Sequence, residues 1–368
     1  MADRTLTMRE LNRATLARQM LLDRENIGVS EAVGRLAGLQ AQVQNPPYIG
    51  LWTRLQNYSR EDLTGALEER SVVRAPFVRS TLHLMTADDY LLLWPAIQPA
   101  LIRALGAFFG KRARGLDIDR LVTAARAHLE EGPKSFAELR AELSKLEPDR
   151  DPEALAYAVR SHLPLVQVFP AGTWRSGGRI AYALAEQRLG RPLSGTDDPR
   201  ELVFRYLRAF GPGTVKDVQT WAGLVRMQDQ IEDLKPELRV FTDEQGNEIL
   251  DLPDMPLPPA DAPAPARFLP EYDNLVLSHA DRTRFVPEEH RTKVFLSAAR
   301  VRATFLLDGT VRGTWKIEGS QNAATLVVEP FEPLAEKDRQ ALVEEGERLV
   351  RFVEAGAGSH ELRFAPAT

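Results

Sequence analysis

Apolar residues recur at helical spacing in three consecutive parts of the chain, and each time two short stretches of alternating apolar and polar residues follow. Such a change from the helical to the strand period predicts helices followed by a hairpin. In the first part the predicted helices and strands cover residues 8–22, 31–40, 60–70, 71–77 and 81–85. Three helices and a hairpin are the elements of a winged-helix unit, which we predict here.

The same order recurs twice further along the chain. Ser135 and Glu138 have the spacing of a capping box, and Asp151 stands before a proline, so both places mark the start of a helix. The predicted helices begin near residues 119, 135, 151, 198, 214 and 227, and the predicted strands lie within 165–169, 180–184 and 239–252. A long helix at 86–109, interrupted at its two prolines, is predicted to connect the first two units.

The composition changes after residue 252. Six prolines within residues 253–265 predict a stiff linker, and a β-rich region with one helix at 335–354 follows. Asp308–Gly309 is a typical hairpin turn. The predicted strands of this region cover 267–269, 274–278, 294–296, 303–307, 311–317, 325–328 and 361–364. Such short strands indicate a small barrel or a curled sheet.

The predicted fold class is therefore α+β, with three tandem winged-helix units followed by a small C-terminal β-barrel. We place the units at residues 1–115, 116–190 and 191–255, and the proline-rich linker with the barrel at residues 256–368. The first unit includes the connecting helix and carries Gln40 and Gln42.

Composition excludes several classes of protein. Hydrophobic residues make up 43% of the 368 positions, but none of the apolar runs approaches the length of about 20 residues that a transmembrane helix needs. Cysteine is absent, so a disulfide, a thiolate nucleophile and a cysteine zinc site are excluded. No basic and then apolar leader opens the sequence, and we expect a cytoplasmic protein.

The net charge of −5 argues weakly against nucleic acid as a partner, because phosphate contacts need excess lysine and arginine. Only 8 of the 47 basic residues are lysine, however, and the arginines are clustered. An arginine-rich surface suits bidentate phosphate contacts. A GC-rich genome would produce the same bias, and composition leaves both explanations open.

The usual signals of hydrolytic enzymes are missing. The six histidines show no metal-ligand spacing, and neither a phosphate-binding glycine loop nor a nucleophile elbow is present. We therefore expect no metal site, no cofactor and no covalent serine. Winged helices commonly bind duplex DNA, although some act as protein–protein modules.

Gln40 and Gln42 are the most informative pair of residues. Amides cannot abstract a proton, but each both donates and accepts hydrogen bonds, so two of them can hold one water molecule. We predict that they lie at a helix end before Asn45-Pro46-Pro47, since an i, i+2 pair does not share one face of an intact helix. The alternative is that both residues only cap that helix.

Several motifs give the chain a resemblance to a known family. They are LNR at 11–13, QAQ at 40–42, RSTLHL at 79–84, LPEYDN at 269–274 and SHADR at 278–282. Together they resemble the bacterial winged-helix alkylpurine DNA glycosylases, and most closely the AlkZ type, which protects antibiotic producers from their own DNA-alkylating product. The resemblance covers nearly the whole chain. It implies a C-shaped clamp on duplex DNA that cleaves the N-glycosidic bond of N7-alkylated purines, interstrand crosslinks included.

The resemblance also implies that Gln40 and Gln42 position the attacking water. A related branch carries Gln-x-Asp at this place, so Gln42 puts the chain with the self-resistance branch. Alkylation at N7 makes the purine cationic and a good leaving group, and the remaining task is to place water at C1′ and stabilise an oxocarbenium-like sugar. Neither step needs a strong base.

The expected partner is double-stranded DNA carrying alkylated purines, without a protein partner or a membrane. For His83, a structural role is the alternative to a DNA contact. For Trp315, a position in the core is favoured over a surface on which bases stack. The candidate DNA contacts are Arg79, His83, Trp174, Arg175, Arg179, Asn274, His279, Arg282 and Arg312. A non-catalytic winged-helix protein that regulates genes or sequesters lesions is the alternative function.

Overall fold

The computed structural model describes residues 4–320 and 322–367. Its first part is mixed helix and strand, as predicted. The elements are β1 (Thr5–Leu6), α1 (Met8–Arg18), α2 (Val29–Arg35), β2 (Leu39–Gln40), α3 (Pro46–Trp52), α4 (Arg60–Glu68), β3 (Val72–Pro76) and β4 (Leu82–Thr86). Strands β2, β4 and β3 form an antiparallel sheet in that order. The predicted hairpin at 71–85 is confirmed, and a strand, β2, is added to its edge.

The helix predicted at 31–40 is wrong in its second half. Helix α2 ends at Arg35, and Gly38 then takes a φ of +88°. A β-carbon at Gly38 would lie 2.8 Å from the carbonyl oxygen of Leu84, so glycine permits both the turn and the close approach. Pro46 and Pro47 occupy the first turn of α3, where proline is tolerated, and begin a helix that the sequence analysis had missed.

Helix α5 (Ala87–Phe109) is continuous, although it contains Pro95 and Pro99. Because Pro95 has no N–H, the carbonyl of Leu91 lacks its helical donor. The backbone N–H of Ser194 donates to that carbonyl over 3.2 Å and so satisfies it. Residues 87–113 are long and apolar enough to cross a membrane by length and composition alone, but 44% of the apolar window is buried inside the protein. We interpret α5 as a core helix.

The second and third parts repeat the order of helices and hairpin. They contain α6 (Ile118–Glu130), α7 (Phe136–Leu146), α8 (Pro152–His162), β5 (Leu165–Gln167), β6 (Tyr182–Leu184), α9 (Ala185–Leu189), α10 (Arg200–Phe210), α11 (Val215–Ala222), α12 (Gln228–Leu234), β7 (Arg239–Asp243) and β8 (Glu248–Asp251). The capping box of Ser135 and Glu138 and the N-cap at Asp151 are confirmed. Strand β1 pairs in parallel with β7 and joins the first part of the chain to the third.

The C-terminal region is an open five-stranded sheet and not a closed barrel. Its elements are β9 (Arg267–Leu269), α13 (Arg291–Val294), β10 (Thr304–Leu307), β11 (Thr310–Ser320), β12 (Ala323–Pro330), α14 (Glu336–Val353) and β13 (Ser359–Phe364). The strand order is β13-β12-β11-β10-β9, with β9 and β13 at the two edges. Two predicted strands are wrong: 274–278 begins with the 3-10 turn Asn274–Val276, and 294–296 starts at the end of α13.

The Asp308–Gly309 turn joins β10 and β11 as predicted and packs against α1. Arg9 donates to the Asp308 carboxylate, and Arg13 forms an ion pair with the same group. The side-chain amide of Asn12 donates to the carbonyl of Gly309 over 2.9 Å. Trp315, on β11, is 7% exposed and donates to the Leu269 carbonyl, which confirms its core position. The domain boundaries and the C shape stay predictions.

Candidate active site

Gln40 and Gln42 lie on an edge strand and the loop that follows it, not at a helix end. Residues i and i+2 face different sides of a helix but the same side of an extended chain. The extended backbone therefore allows both side chains to point the same way. The Oε1 atom of Gln40 accepts from Nη2 of Arg79 over 2.9 Å, and Oε1 of Gln42 accepts from the backbone N–H of Leu82 over 3.2 Å. Both amides therefore contact the β3–β4 hairpin, Gln40 at its tip and Gln42 at the first residue of β4. Neither caps a helix.

The partners of the two amides settle which end of each amide is oxygen. Arginine and a backbone N–H only donate, so both glutamines must present oxygen to the hairpin tip. A carbonyl oxygen has two lone pairs, and in each amide one is left for a further donor such as water. Gln40 is 9% exposed, whereas Gln42 is on the surface. The pair thus provides one nearly buried and one exposed hydrogen-bond acceptor.

The backbone of residues 38–42 is held along its outer edge by Asn274. The Nδ2 of Asn274 donates to the Gly38 carbonyl over 2.6 Å, and its Oδ1 accepts from the N–H of Gln40 over 3.3 Å. These contacts replace a neighbouring strand. Arg74 completes the support, because its Nε and Nη2 donate to the carbonyl of Ala41 over 2.9 and 2.6 Å.

Asn274 is itself fixed by the residue before it. Asp273 forms a bidentate pair with Arg54, with both N–O distances 2.8 Å, and both side chains are buried. Arg54 also donates to the carbonyls of Gly50 and Gln19. The buried pair thus anchors the segment that carries Asn274 to the residues at the end of α3.

Three arginines near this loop have no carboxylate partner among the described residues. Arg74 and Arg79 donate to carbonyl and amide oxygens, and Arg282 lies over the ring of Phe295 at 4.1 Å. Burial and the charge of Arg282 lower the pKa of Arg79 to about 10, which leaves it protonated at neutral pH. Arg74 is buried and the other two arginines are partly buried; a cation out of water without a counter-charge is costly, and a bound anion such as a phosphate would reduce that cost.

His83 pairs with Gln40 across the sheet and is 1% exposed. Its Nδ1 is 3.1 Å from the Thr81 carbonyl, and its Nε2 has no hydrogen-bond partner. Burial and the positive charge of Arg79 lower the pKa of His83 to about 3, so the ring is neutral. This geometry favours the structural alternative, and the DNA contact stays a prediction.

The depressed pKa of His83 predicts that acid destabilises the fold. Between the unfolded pKa of about 6.5 and the folded pKa, the unfolded state binds the extra proton, so stability falls as pH falls. From pH 7.5 to pH 5 the loss from His83 alone is about 2 kcal/mol. Urea unfolding of the wild type and of His83→Phe at both pH values tests this. Equal losses in the two proteins would contradict it.

His279 and Asn274 are also buried. Nε2 of His279 accepts from Nη1 of Arg284 over 2.9 Å, and its Nδ1 lies 2.9 Å from Oγ of Ser278. Burial and the Arg284 charge lower the pKa of His279. The geometry favours structural roles for both residues, and their predicted DNA contacts are not tested by it.

The remaining predicted contacts are half-buried or exposed and have partners within the protein. Trp174 is 5.4 Å from the ring of Tyr48, in an edge contact. Three arginines pair with carboxylates, namely Arg175 with Glu354, Arg179 with Glu138 and Arg312 with Glu332. Their DNA contacts stay predictions.

The sequence analysis missed Arg74 and the Arg54–Asp273 pair. Arg74 lies in β3, whose residues are all buried, and a lone arginine among apolar strand residues was the available signal. Arg54 and Asp273 are 219 residues apart, so the sequence carries no local signal of their contact.

Comparison with known proteins places this site in a family. Residues 33–352 match the model of the family described as DNA glycosylase AlkZ-like. The chain belongs to the AlkZ-like DNA glycosylase family. This confirms the resemblance drawn from the motifs, and it makes the protein an enzyme that acts on DNA.

One sequence match and one structure match show how far the similarity extends. The interstrand DNA cross-link repair glycosylase of Streptomyces sahachiroi is 25% identical over 371 residues, which span 91% of this chain and 94% of that protein. The solved structure of the Streptomyces sahachiroi DNA glycosylase AlkZ has a TM-score of 0.80 at 21% identity, with 98% of this chain and 100% of that chain covered. At this identity the structural match shows a shared fold.

Proposed function

We propose that the protein hydrolyses the N-glycosidic bond of N7-alkylated purines in duplex DNA with a water molecule positioned by Gln40 and Gln42. The observation that carries this proposal is that both amide oxygens accept a hydrogen bond from the same hairpin, from Arg79 and from Leu82, and each has a lone pair left for water. Neither amide contacts a carboxylate in the described part of the chain. The site is therefore suited to a substrate whose leaving group is already activated.

The proposed reaction needs orientation more than basicity. The bond from C1′ to N9 breaks, its electron pair neutralises the cationic purine, and the water oxygen bonds to C1′. When both glutamine oxygens accept hydrogen bonds from one water, a lone pair of that water is left to face the sugar. The partial negative charge of the two oxygens favours the cationic sugar in the transition state. The water's surplus proton is released to solvent.

The arginines supply the affinity for DNA in this proposal. Arg74 and Arg282 carry positive charge near the glutamines without a carboxylate to neutralise it. Phosphates next to the lesion would provide that neutralisation. They would also keep the arginine charge from disfavouring the oxocarbenium-like sugar.

We further propose that the substrates include bulky adducts or interstrand crosslinks formed by a DNA-alkylating natural product. The Streptomyces sahachiroi relative is named for interstrand cross-link repair. Gln42 lies on the surface and not inside an enclosed pocket, so a large adduct does not have to be enclosed by the protein in order to reach the site. Self-resistance of a producing cell is the biological role that fits such substrates.

The function is tested with a duplex that carries one N7-methylguanine. We expect the protein to convert this site into an abasic site, which breaks in alkali, and to leave the unmodified duplex intact. A metal chelator should not change the rate. The alternative function, a DNA-binding protein that only sequesters lesions, predicts binding of the same duplex without release of the base. Binding without abasic product on methylated and crosslinked DNA would overturn the proposal.

A further inference from the structure

Arg79 lies at the tip of the β3–β4 hairpin in a left-handed backbone conformation, with φ 54° and ψ 19°. This conformation is unfavourable for a residue with a side chain, so the surroundings must hold it. A β-carbon at Gly223, after α11, would lie 3.2 Å from the N and Cα atoms of Arg79. From α8, the Tyr157 hydroxyl lies 2.7 Å from Oγ of Ser80, and Arg160 donates to the Ser80 carbonyl over 2.9 Å. The tip is thus fixed between two other parts of the chain.

The guanidinium of Arg79 spans two acceptors. Its Nη1 donates to the carbonyl of Trp221 over 3.0 Å, and its Nη2 donates to Oε1 of Gln40 over 2.9 Å. A planar guanidinium fixes the directions of both bonds at once, which the single nitrogen of lysine cannot do. The amide of Gln40 is therefore oriented relative to α11, on a different part of the chain.

Gln42 does not depend on a side chain in this way. Its oxygen accepts from the backbone N–H of Leu82, which a change of side chain leaves in place. The terminal torsion of a free glutamine has broad preferences. Among the described residues, Arg79 is the side chain that donates to the Gln40 amide and so sets its orientation.

We propose that Arg79 is a positioning residue for base excision, which fixes the orientation of the Gln40 amide through a hydrogen bond to its oxygen. The proposal rests on the proposed function and deepens it. A displacement of about 1 Å in a positioning group can cost about 100-fold in rate. The action of Arg79 is on the rate of excision, through Gln40, and not chiefly on DNA affinity.

A phosphate contact is the competing role for Arg79, and Arg79→Lys separates the two. Lysine keeps the positive charge but cannot donate the two hydrogen bonds in the fixed directions that the guanidinium gives them. We expect the single-turnover rate constant of excision to fall by about tenfold or more, with the dissociation constant for DNA changed less than about twofold and the salt dependence of binding unchanged. A normal excision rate with weaker DNA binding would overturn the proposal in favour of a bidentate phosphate contact.

A double-mutant cycle tests whether Arg79 acts through Gln40. In a Gln40→Ala background, Arg79→Lys should cause no further loss of rate, whereas in a Gln42→Ala background it should still cause one. Equal losses in both backgrounds would overturn the proposal. Arg79→Gln, which keeps an N–H donor, repeats the cycle if the lysine variant does not give the wild-type circular dichroism spectrum and melting temperature.

Arg103 provides the matched control. It donates to the carbonyl of Gly223, in the turn that packs on Arg79, but it does not contact Gln40. Arg103→Lys should leave the excision rate within about twofold of wild type. If the wild-type protein releases no base, the proposed function fails. If Gln40→Ala slows excision by about 100-fold but Arg79→Lys does not slow it, only the positioning role fails.

Discussion

Replacement of Gln42 by alanine is expected to lower the single-turnover rate constant for excision of N7-methylguanine by about 100-fold or more, since removal of one preorganised polar group at a reacting centre has that effect. Gln42 is the exposed member of the pair, and its oxygen is fixed by the Leu82 N–H. Alanine removes the acceptor but leaves the backbone of the loop. Gln40→Ala should have an effect of the same order. Both rates are measured with enzyme in excess over a labelled duplex.

DNA binding provides the control for this prediction. The dissociation constant of each variant should stay within about twofold of wild type, because neither amide carries charge toward phosphate. Gln44 is the matched residue: it follows Gln42 by two positions and has no hydrogen-bond partner among the described residues. Gln44→Ala should excise at the wild-type rate. Full activity in both Gln40→Ala and Gln42→Ala would remove the two amides from the mechanism.

Asp273→Ala should destabilise the protein by about 3–5 kcal/mol, the range for a buried ion pair that loses one partner. The Arg54 and Asp273 side chains are 0% and 1% exposed, and alanine would leave the guanidinium buried without a counter-charge. Because Asn274 holds Gly38 and Gln40, excision should also slow in the fraction that stays folded. Urea unfolding and single-turnover excision measure the two effects.

A surface pair provides the control for this stability prediction. Lys145 and Glu142 are 70% and 33% exposed, and Glu142→Ala should cost less than about 1 kcal/mol. A double change, Arg54→Met with Asp273→Leu, should recover much of the lost stability, because replacing both charges avoids a lone buried ion. A loss of less than about 1 kcal/mol in Asp273→Ala would contradict the assignment of a buried pair.

Local signals made much of the fold predictable. Ser135 with Glu138 and Asp151 with Pro152 mark helix starts through contacts within a few residues, and both starts are confirmed. The Asp308–Gly309 turn is confirmed for the same reason. The prediction of a C-terminal β-barrel was wrong, because closure of a barrel depends on whether the two edge strands pair with each other. In the open sheet β13 instead pairs in parallel with β12 through the crossover helix α14, a contact that strand patterns do not reveal.

The candidate site was predictable in its residues but not in its geometry. Gln40 and Gln42 were selected from residue type and resemblance, yet the expected helix end was wrong, because Gly38 turns the chain into an edge strand beside β4. The partners of this loop come from distant parts of the chain: Arg74, Arg79 and Asn274. Only the folded chain shows that Arg79 contacts Gln40.

The most direct test of the central claim is a crystal structure of the protein on a duplex in which the lesion nucleotide is replaced by a cationic iminosugar, a mimic of the oxocarbenium-like sugar. We predict one water within about 3.2 Å of the amide oxygens of both Gln40 and Gln42, placed on the face of the sugar opposite the departing base. A sugar bound away from these two oxygens, with no water shared between them, would contradict the claim that the glutamines position the nucleophile.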